Sequence, residues 1–281
     1  MTDIRQIRLT RYLTVSRVGE GALLVELDPN ADVTPLPSVL ESNQIIVSLW
    51  QYLKENSPTW LLDSVASYKT LLIEYQCFEI DHYGVIAVLR ECLNSSELST
   101  ADERLEATAA SKIHRIPVCY ALEDGDYPHD RQLLSQANSI KQTDIISLHT
   151  QSSFRIFAIG FMPNFAYLGE LPHALRVPRL KNPRVAVPAG AVAIADNQTA
   201  VYPARSPGGW HIIGYTPINL LNHPHYEFQV GDSVQFESIS EAGFVEQLAI
   251  AQSVPQQKVI DENNQSVLDK NAGNDLRAAD D

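Results

Sequence analysis

The chain has 281 residues, enough for two ordinary domains, and 44% of them are hydrophobic, enough for sizeable cores. Its net charge is −13, from 21 Lys and Arg against 34 Asp and Glu, which argues against a nucleic-acid binder because neutralising phosphates needs a basic surface. No apolar run reaches the about 18 residues that span a bilayer, and the polar start, with Arg5 and Arg8, does not read as a secretory signal.

The first part of the chain alternates strand-like and helix-like text. Ile7 to Val18 reads as a mixed strand ending at Gly19, and Gly21 to Leu27 as a buried strand closed by Asp28-Pro29-Asn30. Pro37 to Glu55 spaces Val39, Leu40, Ile45, Ile46, Leu49, Trp50 and Leu53 along one helical face, and Ser57-Pro58 stops it. Trp60 to Ala66 and Thr70 to Cys77 read as strands joined at Ser67-Tyr68-Lys69, and Asp81 to Leu93 as a second helix. A β-α-β-β-α order with one more strand is the split βαβ arrangement, so residues 1–97 are expected to be a small α+β domain, ferredoxin-like in outline. Cys77, Cys92 and Cys119 are widely spaced in apolar text without a CxxC, and read as three buried, reduced thiols of a cytoplasmic protein.

Residues 98–113 are polar and weakly patterned, and read as a linker. Ile116 to Tyr120 restarts strand text. Short helices are expected at Asp130 to Ile140 and Thr143 to His149, and strands at Phe154 to Phe161, Trp210 to Gly214, Phe228 to Val230 and Ser233 to Phe236. Many short strands with frequent turns predict a closed β-barrel over residues 114–251. Residues 252–281 have few large apolar residues and no aromatic, and read as a disordered acidic tail.

The chemistry is expected between Phe157 and Pro217, where Pro, Gly, Arg and aromatic residues are concentrated into a set of ordered turns. Val177-Pro178-Arg179-Leu180-Lys181-Asn182-Pro183-Arg184 holds three cations on a backbone stiffened by prolines. Such forks suit a carboxylate or phosphate, and the same pattern is also that of a rim of surface cations or internal salt bridges. Ser206-Pro207-Gly208-Gly209-Trp210 follows Tyr202-Pro203. Its glycines permit close backbone approach to a ligand, Ser206 adds a hydroxyl and Trp210 a flat face, or the segment is a tight barrel corner. Phe161, Phe165 and Tyr167 either wall a small-molecule pocket or plug the barrel. His149 is the candidate acid or base, though a lone histidine is more often a satisfied structural residue. His223 and His225 lack a third ligand at suitable spacing, so no metal is read. The chain has no P-loop, G-x-G-x-x-G, G-x-S-x-G or H-E-x-x-H, which fits an active site completed by another chain.

The segments GFMPNFAYLGELP, VPRLKNPRVAVPAGAVAIADNQTAVYP and SPGGWHIIGYTP resemble the family of the 5-oxoprolinase B-subunit, also called allophanate hydrolase subunit 1, which includes a sporulation kinase inhibitor. The likeness extends more weakly to GEGALLVEL, SYKTLLIEY and IPVCY, and stops near residue 240. It implies a ferredoxin-like domain followed by a cyclophilin-like β-barrel. It also implies a C-subunit partner (allophanate hydrolase subunit 2), an A-subunit partner, and ATP-dependent opening of 5-oxoproline to glutamate. The ATP would lie at a junction between subunits, and no metal would be held by this chain. Matched positions that would bind substrate are Phe161, Arg179, Arg184, Tyr202, Ser206, Pro207, Gly208, Gly209 and Trp210, with His149 as base. The same resemblance implies an alternative, a regulatory protein that binds a histidine kinase without turnover. The chain departs from the family pattern at Asn164, Asp196 and Ala200, where Gly is usual, at Ala191, where Ser is common, and at Tyr215, where Arg is usual.

Overall fold

A computed structural model describes residues 6–28, 30–31, 35–94, 112–122, 128–221, 223 and 226–253. Most of the expected linker and nearly all of the tail lie outside these residues. The first unit is a five-stranded antiparallel sheet with helices on one face. Its strands are β1 (Ile7–Arg8), β2 (Leu13–Arg17), β3 (Ala22–Leu27), β4 (Leu61–Ser67) and β5 (Thr70–Tyr75), ordered β1-β2-β3-β5-β4. The expected single strand from Ile7 to Val18 is broken, because the Thr10 hydroxyl accepts the Tyr12 and Leu13 N–H groups and turns the chain there.

Helix α1 (Val39–Asn56) begins with a capping box. The Ser38 hydroxyl accepts the Glu41 N–H, and the Glu41 carboxylate accepts the Ser38 N–H. Left-handed Ser57 ends it. Helix α1 buries Ile46, Leu49 and Leu53, and α2 (His82–Asn94) buries Val85, Ile86 and Leu89. Both pack on Leu13, Val15, Leu23, Val25, Leu71 and Ile73, the inward positions of alternating strands. Truncating a residue such as Leu49, fully buried, would cost about 2–5 kcal/mol. The order β2-β3-β5-β4 is that of the split arrangement, but its edge strand comes from before α1 rather than after α2. Cys92 and Cys119 are buried as expected; Cys77 is exposed, because β5 ends at Tyr75 and Cys77 falls in the turn leading to α2.

The second unit is a closed barrel. Its strands are β6 (Ile113–Cys119), β7 (Ser153–Ile159), β8 (Ala166–Gly169), β10 (Ala191–Ala195), β11 (Gln198–Val201), β13 (His211–Tyr215) and β14 (Ser233–Ile239), in the order β10-β11-β8-β7-β14-β6-β13, with β13 returning to β10. Only β6 and β14 run parallel. Every strand contributes to one apolar cluster, including Ile116, Phe154, Leu168, Ile194, Val201, Ile213 and Phe236, which is therefore the lumen. Helices α3 (Arg131–Asn138) and α4 (Gln142–Gln151) add Leu134 and Ile145 to it.

The alternate residues Ala191, Ala193, Ala195 and Ala200, with Ile212, face a second cluster on the outside of the wall. Small side chains there leave room for Val187, Tyr202 and Trp210, which accompany a two-stranded ribbon of β9 (Arg184–Val187) and β12 (Ser206–Gly208). A final helix, α5 (Glu241–Ser253), follows β14 and sets Phe244 against this outer cluster. The expected strand Phe228 to Val230 is instead a loop entering left-handed Gly231, and Val230 packs into the core of the first unit.

The two units share a polar joint. The Arg155 guanidinium donates to the Asn43 side chain at 2.8 Å and to the Gly231 carbonyl at 2.9 Å. Tyr68, at the turn between β4 and β5, stacks on Phe157 and accepts a hydrogen bond from Gln198 on β11. Burial pushes its hydroxyl up to about 12.

Candidate functional site

The expected site residues fall on the outer face of the barrel, with one exception. Phe165 lies at the centre of an aromatic group, with Phe161, Tyr167, Tyr202 and Trp210 at ring-centroid distances of 4.9 to 6.0 Å. Phe165, Tyr202 and Trp210 are buried, while Phe161 is 63% exposed and Tyr167 is half-buried. Trp210 thus offers no open face for a ligand to stack on. Its face carries the Arg179 guanidinium instead, 5.7 Å from the ring centroid. Phe161 adopts a left-handed backbone, φ 72°, a conformation rare for a bulky residue. It holds an aromatic ring out at the rim of the cluster.

The two arginines differ in what they face. Arg184, on β9, donates to the Asp130 carboxylate at 2.5 Å and to the Trp210 carbonyl at 3.3 Å. Asp130 is 4% exposed, and its other carboxylate oxygen accepts the Ile212 N–H at 2.7 Å. Its neighbour Arg131 donates to the Ile213 carbonyl. The start of α3 therefore clamps β13, and Arg184 ties the ribbon to that clamp. The guanidinium expected to receive substrate is neutralised inside the protein. Arg179 is the exposed one; its single polar contact among the described residues is Nε to the Asp196 carboxylate, at 3.4 Å.

Gly208 is required where it stands, because a side chain there would run into the Tyr202 hydroxyl. That hydroxyl lies against the Trp210 backbone N–H, and burial raises the pKa of Tyr202. Gly209 has ordinary space around it and accepts the Leu180 N–H through its carbonyl. Pro207 is exposed. The Ser206 hydroxyl is enclosed and has no hydrogen-bond partner among the described residues. Around this cluster Phe161, Arg179 and Pro207 are exposed and Tyr167, Gly208 and Gly209 are half-buried.

His149 is the exception, and the accessible base expected there is corrected. It enters the lumen from α4, fully buried, and stacks on Phe236. Nδ1 is 2.8 Å from the Tyr120 hydroxyl and Nε2 is 2.9 Å from the Thr199 hydroxyl, which donates onward to the Ala193 carbonyl. Every donor in this chain of bonds is used if Tyr120 donates to Nδ1 and Nε2–H donates to Thr199, so the ring is neutral. Burial pushes its pKa down to about 3. The barrel wall separates it from Arg179 and Trp210. Thr199 points to the lumen, and Ala200, the next residue, points to the outer cluster.

Sequence reasoning missed Asp130, whose only signal was its place just before a short helix. Two departures from the family pattern also find their reason. Asn164 and Asp196 have φ of 60° and 54°, where Gly is favoured and Asn or Asp are tolerated. Asn164 adds hydrogen bonds to the Leu220 and Tyr226 carbonyls. Tyr215 is buried, and its hydroxyl donates to the Pro128 carbonyl at 2.6 Å. No group of three or more His, Cys, Asp or Glu suited to a metal occurs among the described residues; His225 lies outside them.

The family described as "Carboxyltransferase domain, subdomain C and D" matches residues 13–228. The protein of Bacillus subtilis named as the B-subunit of 5-oxoprolinase is 26% identical over 84% of this chain and 97% of its own length. The protein of the same name in Haemophilus influenzae is 31% identical over 80% of this chain and 97% of its own length. Among solved structures, that of TTHA0988 superposes with a TM-score of 0.63 at 28% identity over 79% of this chain, which spans 40% of that longer one. The chain belongs to the carboxyltransferase-domain family of subdomains C and D, the family that holds the proteins named as the B-subunit of 5-oxoprolinase.

Proposed function

We propose that this chain is the B-subunit of an ATP-dependent 5-oxoprolinase, in which hydrolysis of the lactam bond is coupled to hydrolysis of ATP. The observation that carries the reading is the end-to-end match, over 97% of their own lengths, to proteins named as that component. The two units are read as domains, residues 1–97 ferredoxin-like with a relocated edge strand and residues 114–251 cyclophilin-like, joined by a linker at 98–113. In this reading Arg179 holds the substrate carboxylate, whose two oxygens match its fork. Phe161 and Tyr167 wall the ring, and the Pro207-Gly208-Gly209 backbone borders the amide.

The residues present do not fit a nucleotide. Arg184 is consumed by Asp130, and the chain has no P-loop or G-x-G-x-x-G sequence to cradle a polyphosphate. ATP is therefore assigned to a partner chain, and no phosphoryl step is derived from this one. His149 is enclosed, so the base is also assigned to a partner, the C-subunit or A-subunit homologue. No described helix is long and apolar enough to cross a membrane, and a cytoplasmic assembly is proposed.

The test is 5-oxoproline-stimulated ATP hydrolysis with glutamate release, on this chain purified together with C-subunit and A-subunit homologues. Turnover that falls at least tenfold in Arg179→Ala, with the assembly intact, supports the reading. A stable assembly without turnover, beside an active homologous control, removes it and leaves the kinase-binding alternative.

A further inference from the structure

We propose that Asp196 is a built-in competitor for Arg179, holding the guanidinium that would otherwise face an incoming oxyanion, a carboxylate or a phosphate. The inference deepens the proposed function, because it rests on Arg179 being the ligand-facing cation. Between Glu170 and Glu227 the chain has five Lys and Arg residues and a single acid, which is Asp196. On a protein of net charge −13 this is a locally basic segment. The one acid of this segment lies on Arg179, an exposed arginine.

The backbone fixes that placement. Asp196 sits at the turn between β10 and β11, and its N–H donates to the Val177 carbonyl at 2.6 Å, two residues from Arg179. Leu180 is held in turn by the Gly209 carbonyl, and the Pro178 carbonyl lies 3.0 Å from His211 Nε2. The carboxylate and the guanidinium are thus brought together by main-chain bonds that do not depend on their charges. At φ 54° the turn suits Gly or Asn as well, so the charge is an addition that the backbone does not require.

The contact is also weak enough to yield. Asp196 touches only Nε, at 3.4 Å, with the two side chains 58% and 54% exposed. Both terminal nitrogens of Arg179 are without a hydrogen-bond partner among the described residues. A ligand that takes those two nitrogens at once makes the stronger, bidentate contact. Displacing an exposed pair of this kind lowers the apparent affinity about two- to fivefold, which corresponds to up to about 1 kcal/mol.

The experiment follows modification of Arg179 by phenylglyoxal, read by peptide mass spectrometry on the full chain, in wild type, Asp196→Asn and Asp196→Gly. Asn and Gly both accept the left-handed turn, so folding is retained. Expected is a two- to fivefold faster modification of Arg179 in both variants at low salt. The difference should close at 1 M NaCl, where the screening length is about 3 Å. Inorganic phosphate should protect Arg179 at a two- to fivefold lower concentration in the variants. Equal modification rates with equal phosphate protection in all three proteins would overturn the proposal. A phosphate effect without any protection by 5-oxoproline would uphold the competitor and count against the substrate of the proposed function.

Discussion

Removing Arg184 decides between a substrate contact and a strut. In Arg184→Ala the Asp130 carboxylate, 4% exposed, keeps one donor, the Ile212 N–H, and loses the cation that balances its charge. Breaking a buried pair from one side costs about 3–5 kcal/mol. Arg184 is itself 24% exposed, which admits some water to the remaining carboxylate and places the expectation near the lower end, about 3 kcal/mol. Loss of the Arg184 bond to the Trp210 carbonyl adds in the same direction. Urea unfolding of wild type, Arg184→Ala, Asp130→Ala and the double variant gives the four corners of a cycle. The double variant should be closer to wild type than the sum of the singles, with a coupling above about 1 kcal/mol. An Arg184→Ala chain that unfolds within about 0.5 kcal/mol of wild type would refute the strut and restore Arg184 as a ligand residue.

Three further outcomes follow from particular contacts. Gly208→Ala drives a Cβ into the Tyr202 hydroxyl and should cost about 1–3 kcal/mol in urea unfolding; Tyr202→Phe in the same chain should recover part of that loss. Asn164→Gly forfeits two side-chain hydrogen bonds, and Asn164→Ala forfeits them and strains the left-handed turn as well, so Ala should be about 1 kcal/mol worse than Gly by the same measurement. His149 has a folded pKa of about 3 against about 6.5 unfolded, so below pH 6.5 the unfolded chain binds a proton that the folded one refuses, and stability is lost as pH falls from about 6.5 towards 3. Between pH 6 and 4 wild type should lose stability more steeply than His149→Gln, and equal slopes in the two chains would contradict a neutral, enclosed ring.

The fold was legible where the cause is local. The spacing of Ile45, Ile46, Leu49 and Leu53 marks α1 within two residues at its start and one at its end, and Ser38 with Glu41 supplies its cap. Strands β4, β5 and β7 stand out because alternation or apolar runs meet turn residues at once. Helix α5 was not legible. Its apolar residues point to several sides, so that Val245 and Ile250 are exposed while Phe244 is buried, and no single stripe announces a helix. Phe228 to Val230 has strand composition, yet Val230 is drawn into the core of the other unit, a partner no local window contains. The density of Pro, Gly, Arg and aromatics marked the segment that forms the outer cluster and its ribbon. The division of labour within it was not, since Arg184 is claimed by an acid 54 positions away.

The barrel wall explains why neighbours in sequence part company in function. Along β11 and the residue after it, Thr199 and Val201 enter the lumen, while Ala200 and Tyr202 face outward. A residue therefore joins either the enclosed network of Tyr120, His149 and Thr199 or the outer cluster beneath the ribbon, according to the parity of its position. The lumen network uses every donor and shuts out water, which suits a rigid wall and cannot deliver a proton to the surface. The outer cluster spends its buried aromatics and Asp130–Arg184 on holding a basic turn in place, and leaves Arg179 over Trp210 with two nitrogens unclaimed among the described residues. A substitution at Thr199 should therefore be felt as stability, whereas under the proposed function one at Arg179 should be felt as binding with stability kept.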